Sequence, residues 1–132
     1  MAAKFLLGLL PVLALGMLGC NNKPSSLPKT YSVTGSVAYK DGKPVAGGSI
    51  FFRSLTDTSF AASGDIEKDG KFTVFTVKEN EKLRGLPEGE YRVTVQPPIP
   101  PDQRAAPAID LPQTFRVEAK DNQFAIEVEV RR

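Results

Sequence analysis

The stretch YSVTGSVAYK, Tyr31–Lys40, alternates with a period of two: Tyr31, Val33, Gly35, Val37 and Tyr39 share one parity, and Ser32, Thr34, Ser36, Ala38 and Lys40 the other. Successive side chains of a strand point to opposite faces, so this pattern predicts a strand with one dry face. Asp41-Gly42 follows it, a dipeptide suited to the positive φ of a tight turn. Working outward, GSIFFRSL (48–55) is a second strand, apolar on both parities at its centre, and Phe60 to Ile66 is a third. Asp69-Gly70 turns into KFTVFTV (71–77), where the apolar parity shifts after Val74. A shift of one residue predicts a bulge or burial on both faces.

Three more stretches complete the pattern. GEYRVTVQ (89–96) alternates through Tyr91, Val93 and Val95, and TFRVEA (114–119) puts Phe115 and Val117 inward. FAIEVEVR (124–131) places Phe124, Ile126, Val128 and Val130 on one face, with Glu127, Glu129 and Arg131 outside. KENEKLRGL (78–86) is charged and offers at most one helical turn. Seven short strands with turn signals between them predict an all-β domain, a single seven-stranded Ig-like antiparallel β-sandwich over 31–132. Without Trp or a Cys pair it is no true antibody-type domain. Gly85 to Glu90 sets a turn before Tyr91; a hydroxyl bonding back to that turn, as in a tyrosine corner, and a plain core tyrosine both remain open.

Composition narrows the function. The 132 residues suit one domain, with 41% hydrophobic residues, 17 basic against 15 acidic side chains and no His. The charges are mixed along the chain, which gives no reason to expect nucleic acid as a partner, since that requires a concentrated basic face. Lack of His removes the commonest general base and the usual zinc ligand. A single Cys excludes an internal disulfide and a thiolate metal cluster.

The start of the chain reads MAAKFLLGLLPVLALGMLG, residues 1–19. Lys4 precedes an apolar run of fourteen residues, Phe5 to Leu18. As a helix it would span about 21 Å, short of the ~30 Å hydrocarbon core, and Pro11 lies within it. Residues 1–19 therefore read as an export signal, excluded from the fold. Residues 20–30, Cys20 and the polar NNKPSSLPKT, read as a flexible tether.

Met17-Leu18-Gly19-Cys20 resembles a bacterial lipobox, with Met17 standing where Leu is usual. The resemblance implies a bacterial lipoprotein: cleavage before Cys20, acylation of its sulfur and new amino group, and anchoring to membrane lipid through acylated Cys20. Two or more acyl chains make such anchoring stable where one does not. Asn21 rather than Asp after the Cys implies the outer membrane as the destination of this exported, lipid-anchored envelope protein.

VTGSVAYKDGKPVAGGSIFF, DGKFTVFTV and GLPEGEYRVTV resemble carboxypeptidase-regulatory-like domains, which are transthyretin-like (prealbumin-like) sandwiches. The resemblance covers residues 31 to 96 best. It rests on turns and core positions, so it implies a fold more than an activity. Some transthyretin-like proteins are hydroxyisourate hydrolases, which depend on His residues this chain lacks.

Candidate chemistry is sparse. Asp65, Glu67 and Asp69 before Gly70 resemble half a calcium loop, but the twelfth position is Thr76 rather than a bidentate Glu; solvated charges beside a hairpin turn is the preferred reading. Glu88 and Glu90 flank Gly89 and could suggest a carboxylate pair for acid/base work, but nothing apolar surrounds them, so exposed loop charges is the preferred reading. Gly47-Gly48 precedes a strand, not the helix that a phosphate cradle needs. PPIPPDQRAAPAIDLP (97–112), with six prolines in sixteen residues, reads as a stiff connection across the sandwich, with a docking strip as the rival reading.

These readings predict no enzyme, no cofactor and no metal. They predict a non-catalytic, lipid-anchored module of the cell envelope, working in protein–protein interaction or structural support. The alternative is a carbohydrate-binding module at the cell surface. Tyr31, Tyr39 and Tyr91 are expected inward, which favours a protein partner; a flat exposed strip of Phe51, Phe60 or Phe75 would favour a glycan.

Overall fold

The computed structural model describes residues 27–129. Residues 1–19 (the expected export signal), Cys20 and the first part of the expected tether lie outside them, as do Val130 and Arg131. Nine strands follow in chain order: β1 (Val33–Tyr39), β2 (Ser49–Ser54), β3 (Ala61–Asp65), β4 (Lys71–Thr73), β5 (Phe75–Lys78), β6 (Glu81–Arg84), β7 (Gly89–Gln96), β8 (Ile109–Val117) and β9 (Asn122–Val128). They form a three-stranded sheet, β4-β1-β9, and a six-stranded antiparallel sheet, β6-β5-β3-β2-β7-β8. The core lies between the two sheets, so the protein is a β-sandwich, as the alternation predicts.

The strand count is nine rather than seven for two reasons. KFTVFTV is split at Val74, after which the apolar parity shifts. Val74 N donates to Val33 O while Val74 O accepts from Gly85 N, so the chain leaves β1's sheet as β4 and enters the other sheet as β5. Val74 itself is fully buried at this crossing. Second, KENEKLRGL holds a strand, not a helical turn. Glu79 and Asn80 adopt φ of 52° and 66°, and Lys78 pairs with Glu81. Two central residues with positive φ make the hairpin turn that fits strand twist.

One pairing also departs from an all-antiparallel sandwich. β9 runs parallel to β1, from Val33↔Asn122 to Tyr39↔Val128. The two strands lie far apart in sequence, so a long crossover joins them, as parallel pairing requires.

The alternation in YSVTGSVAYK is reproduced: Val33 and Val37 are fully buried, and Tyr31 and Tyr39 pack against the core. Gly35 sits between Phe72 and Phe124, and a Cβ there would overlap the Phe124 carbonyl and crowd the Phe72 ring. Phe52 reaches across from the six-stranded sheet, its ring centroid 6.3 Å from both Phe72 and Phe124 and 6.2 Å from Tyr91. Rings at such separations attract beyond their area alone. Both Asp-Gly-Lys turns use one device: Asp41 Oδ1 accepts from Lys43 N, and Asp69 Oδ1 from Lys71 N, at 2.9 and 3.0 Å. An aspartate that caps its own turn offers the backbone a local acceptor.

The proline-rich segment ends sooner than read. β8 begins at Ile109 and includes Pro112. Its register against β7 slips between Arg92 and Thr94, opposite Pro112, and edge strands and bulges are where a sheet tolerates proline. Because β7 and β8 are neighbours in one sheet, the loop is a hairpin excursion and not a connection across the sandwich. Gln96 Nε2 closes its base by donating to Ala106 O at 2.7 Å.

Candidate functional site

Each candidate residue within the described span has a definite place, while Cys20 lies outside it. Asp65 to Gly70 form a hairpin, with Gly70 N on Glu67 O (2.9 Å) and Glu67 N on Lys71 O (2.8 Å). The would-be twelfth ligand, Thr76, is buried and donates its hydroxyl to Gly85 O at 2.6 Å. Among the described residues no three acidic side chains converge where a cation would sit. Glu90 is exposed and lies 3.7 Å from Arg116, and Glu88 is exposed alone at the loop. Gly48 lies at the entry to β2, its carbonyl accepting from Ile66 N. Tyr91 is buried and its hydroxyl donates to Pro87 O at 2.7 Å, which is the tyrosine-corner arrangement. Burial, aided by the charge of Asp57, pushes its phenol pKa well above the usual value. Ser59 donates its hydroxyl (2.6 Å) and its N–H (2.9 Å) to Asp57, holding that exposed carboxyl below its usual range.

The distinctive surface is the outer face of the six-stranded sheet. Along β2 and just beyond it, Phe51, Arg53 and Leu55 point outward, with Phe51 46% and Leu55 48% exposed. Arg53 stands directly opposite Arg92 of β7. Like charges in cross-strand register destabilise a sheet, and among the described residues neither guanidinium lies within 4 Å of a carboxylate. Arg92 donates to Pro112 O at 3.1 Å. An apolar–cation–apolar strip beside a second cation therefore meets water, with no ion pair to either guanidinium among the described residues.

The aromatic side chains divide. Phe51 and Phe75 lie in one cross-sheet row with Ser63 between them, while Phe60 turns inward and packs 6.4 Å from Tyr91. Phe75 is half-buried under Lys82, whose Nζ sits 4.5 Å from the ring centroid. The apolar pair at the centre of GSIFFRSL was the sequence signal for Phe51. The Arg53–Arg92 pairing has none, because it depends on the register of strands nearly forty residues apart.

Nearer β6, Ser63, Asp65, Glu67, Phe75, Val77, Lys82 and Arg84 line a shallow depression of about 620 Å³. The incoming N-terminal segment runs beside it: Thr30 Oγ1 donates to Arg84 O at 2.9 Å, and Tyr31 and Leu86 exchange backbone hydrogen bonds. Among the described residues no helix is long and apolar enough to cross a membrane. No family model, curated protein or solved structure matches this chain.

Proposed function

We propose that this chain is a non-catalytic docking module of the bacterial cell envelope, exported, anchored to the outer membrane through acylated Cys20, and built on a transthyretin-like sandwich of the carboxypeptidase-regulatory type. The observation that carries the docking role is the Phe51–Arg53–Leu55 strip with Arg53 in register against Arg92. Two adjacent guanidinium groups that pair with no carboxylate favour a partner that supplies one, since arginine binds carboxylates with bidentate geometry. The flanking phenyl and leucyl groups suit apolar anchors on the same partner. The partner's chemistry is thus an envelope protein presenting an acidic segment with apolar side chains.

A glycan is the second reading, favoured by the Phe51–Ser63–Phe75 row, in which two rings share an open face. The experiment separating them is capture from envelope membranes with the intact lipoprotein, alongside mass spectrometry of the bait. A protein held by wild type and released by Arg53→Glu/Arg92→Glu supports the docking reading. Glycan recovered without protein, lost on Phe51→Ala and not on the arginine change, overturns it. A bait mass without acyl chains on Cys20 overturns the anchor.

A further inference from the structure

We infer that the depression beside β6 is a phospholipid-headgroup contact, selective for a headgroup that carries both a phosphate and a primary ammonium, and that it fixes the sandwich edge-on to the membrane. This rests on the reading of Cys20 as the lipid attachment point. From Cys20 to Leu27 is seven residues, which reach at most about 25 Å when extended. The chain then joins the domain at β6, through Thr30 on Arg84 and Tyr31 on Leu86. The acyl group therefore holds this corner of the sandwich closer to the bilayer than the far edge at β8.

The corner has the chemistry to meet a headgroup. Lys82 and Arg84 project on the outer side of β6 and line the depression. Among the described residues neither of the two is ion-paired. Val77, opposite Lys82 and 48% exposed, supplies an apolar contact. Asp65 and Glu67 line the opposite wall. Arg84, Phe75 and Ser63 lie in one row, and Asp65 is two residues further along β3, so Arg84 and Asp65 stand roughly 12 Å apart before side-chain reach. Cations on one wall accept a phosphate, and carboxylates on the other accept the N–H groups of a primary ammonium. A purely anionic headgroup gains the first wall and is repelled by the second. A choline headgroup lacks the N–H donors.

The chain has no Trp, so Val77→Trp places one fluorophore at the depression. The intact lipoprotein carrying it is put into nanodiscs of phosphatidylethanolamine, phosphatidylcholine or phosphatidylglycerol mixtures, each containing spin-labelled headgroups, and quenching reports docking. Docking is expected to be strongest with phosphatidylethanolamine and to fall about fivefold for each of Lys82→Glu and Arg84→Glu. Asp65→Asn/Glu67→Gln should remove the preference over phosphatidylglycerol. Equal quenching in all three lipids, or quenching indifferent to Lys82 and Arg84, overturns the inference while the bait's acyl mass leaves the anchor standing. An unacylated Cys20 overturns both.

Discussion

The hydroxyl of Tyr91 donates to the carbonyl of Pro87, four residues earlier, at 2.7 Å. The bond ties the start of β7 to the loop that leads into it, and the ring beneath it packs on Phe52 and Phe60. One side chain thus fills the core and closes a turn.

Tyr91→Phe keeps the ring and removes the bond. Stability is expected to fall by about 1.5 kcal/mol, the cost of one neutral hydrogen bond plus a poorly satisfied carbonyl, read from the urea midpoint. The pH dependence has a definite sign. Burial raises the phenol pKa in the folded state, so its contribution is complete below the unfolded value of about 10 and declines as pH rises beyond it. Between about pH 8 and about pH 11, wild type should lose more stability than Tyr91→Phe.

Asn122 is buried at the start of β9 and ties down the β8–β9 turn. Its amide nitrogen donates to Lys120 O (2.6 Å) and Glu118 O (3.1 Å), and its oxygen accepts from Glu118 N (3.0 Å). Asn122→Ala removes the side-chain partner of Glu118 N and Lys120 O, while Glu118 O keeps its bond from Lys120 N, at an expected cost of about 2 kcal/mol in thermal or urea unfolding. Asn122→Asp keeps only the acceptor and should also destabilise.

Gly85 has φ of +92°, and a Cβ there would overlap the Tyr31 carbonyl. The left-handed conformation alone costs an L-residue about 1–2 kcal/mol, and the overlap separates the Tyr31–Leu86 bridge from the sheet. Gly85→Ala should therefore destabilise by more than 2 kcal/mol, roughly, and speed hydrogen exchange at the Tyr31 and Leu86 amides.

Lys40 and Glu129 pair at the exposed end of the β1–β9 ladder, and the hydrogen bond to Glu129 raises the lysine pKa. Both side chains are well exposed. Lys40→Met should change the unfolding midpoint little, because exposed pairs contribute little to stability.

Much of the sandwich is legible in the chain because strand period and turn chemistry are local. Val33, Val37, Tyr91, Val93 and Val95 are inward as the alternation requires, and both Asp-Gly-Lys turns form. Even the crossing at Val74 is visible as a parity shift. The β5–β6 hairpin is less legible, since Glu79-Asn80 reach positive φ without a glycine. The first half of β8 is hidden by Pro112, which a bulge accommodates. The Phe51–Arg53–Leu55 strip is the least legible: the outward turn of Phe51 depends on burial of its neighbours, and the Arg53–Arg92 pair exists only once β2 and β7 are in register.

That pair gives the most direct test of the docking account. Arg53→Glu replaces a cross-strand repulsion with an attraction, so the isolated protein should gain about 0.2–1 kcal/mol of stability. The same change should abolish capture of an acidic envelope protein, with unfolding and capture measured on the same preparation. Stability gained with capture lost is the predicted result. Capture unchanged in a folded, more stable Arg53→Glu variant would contradict the account.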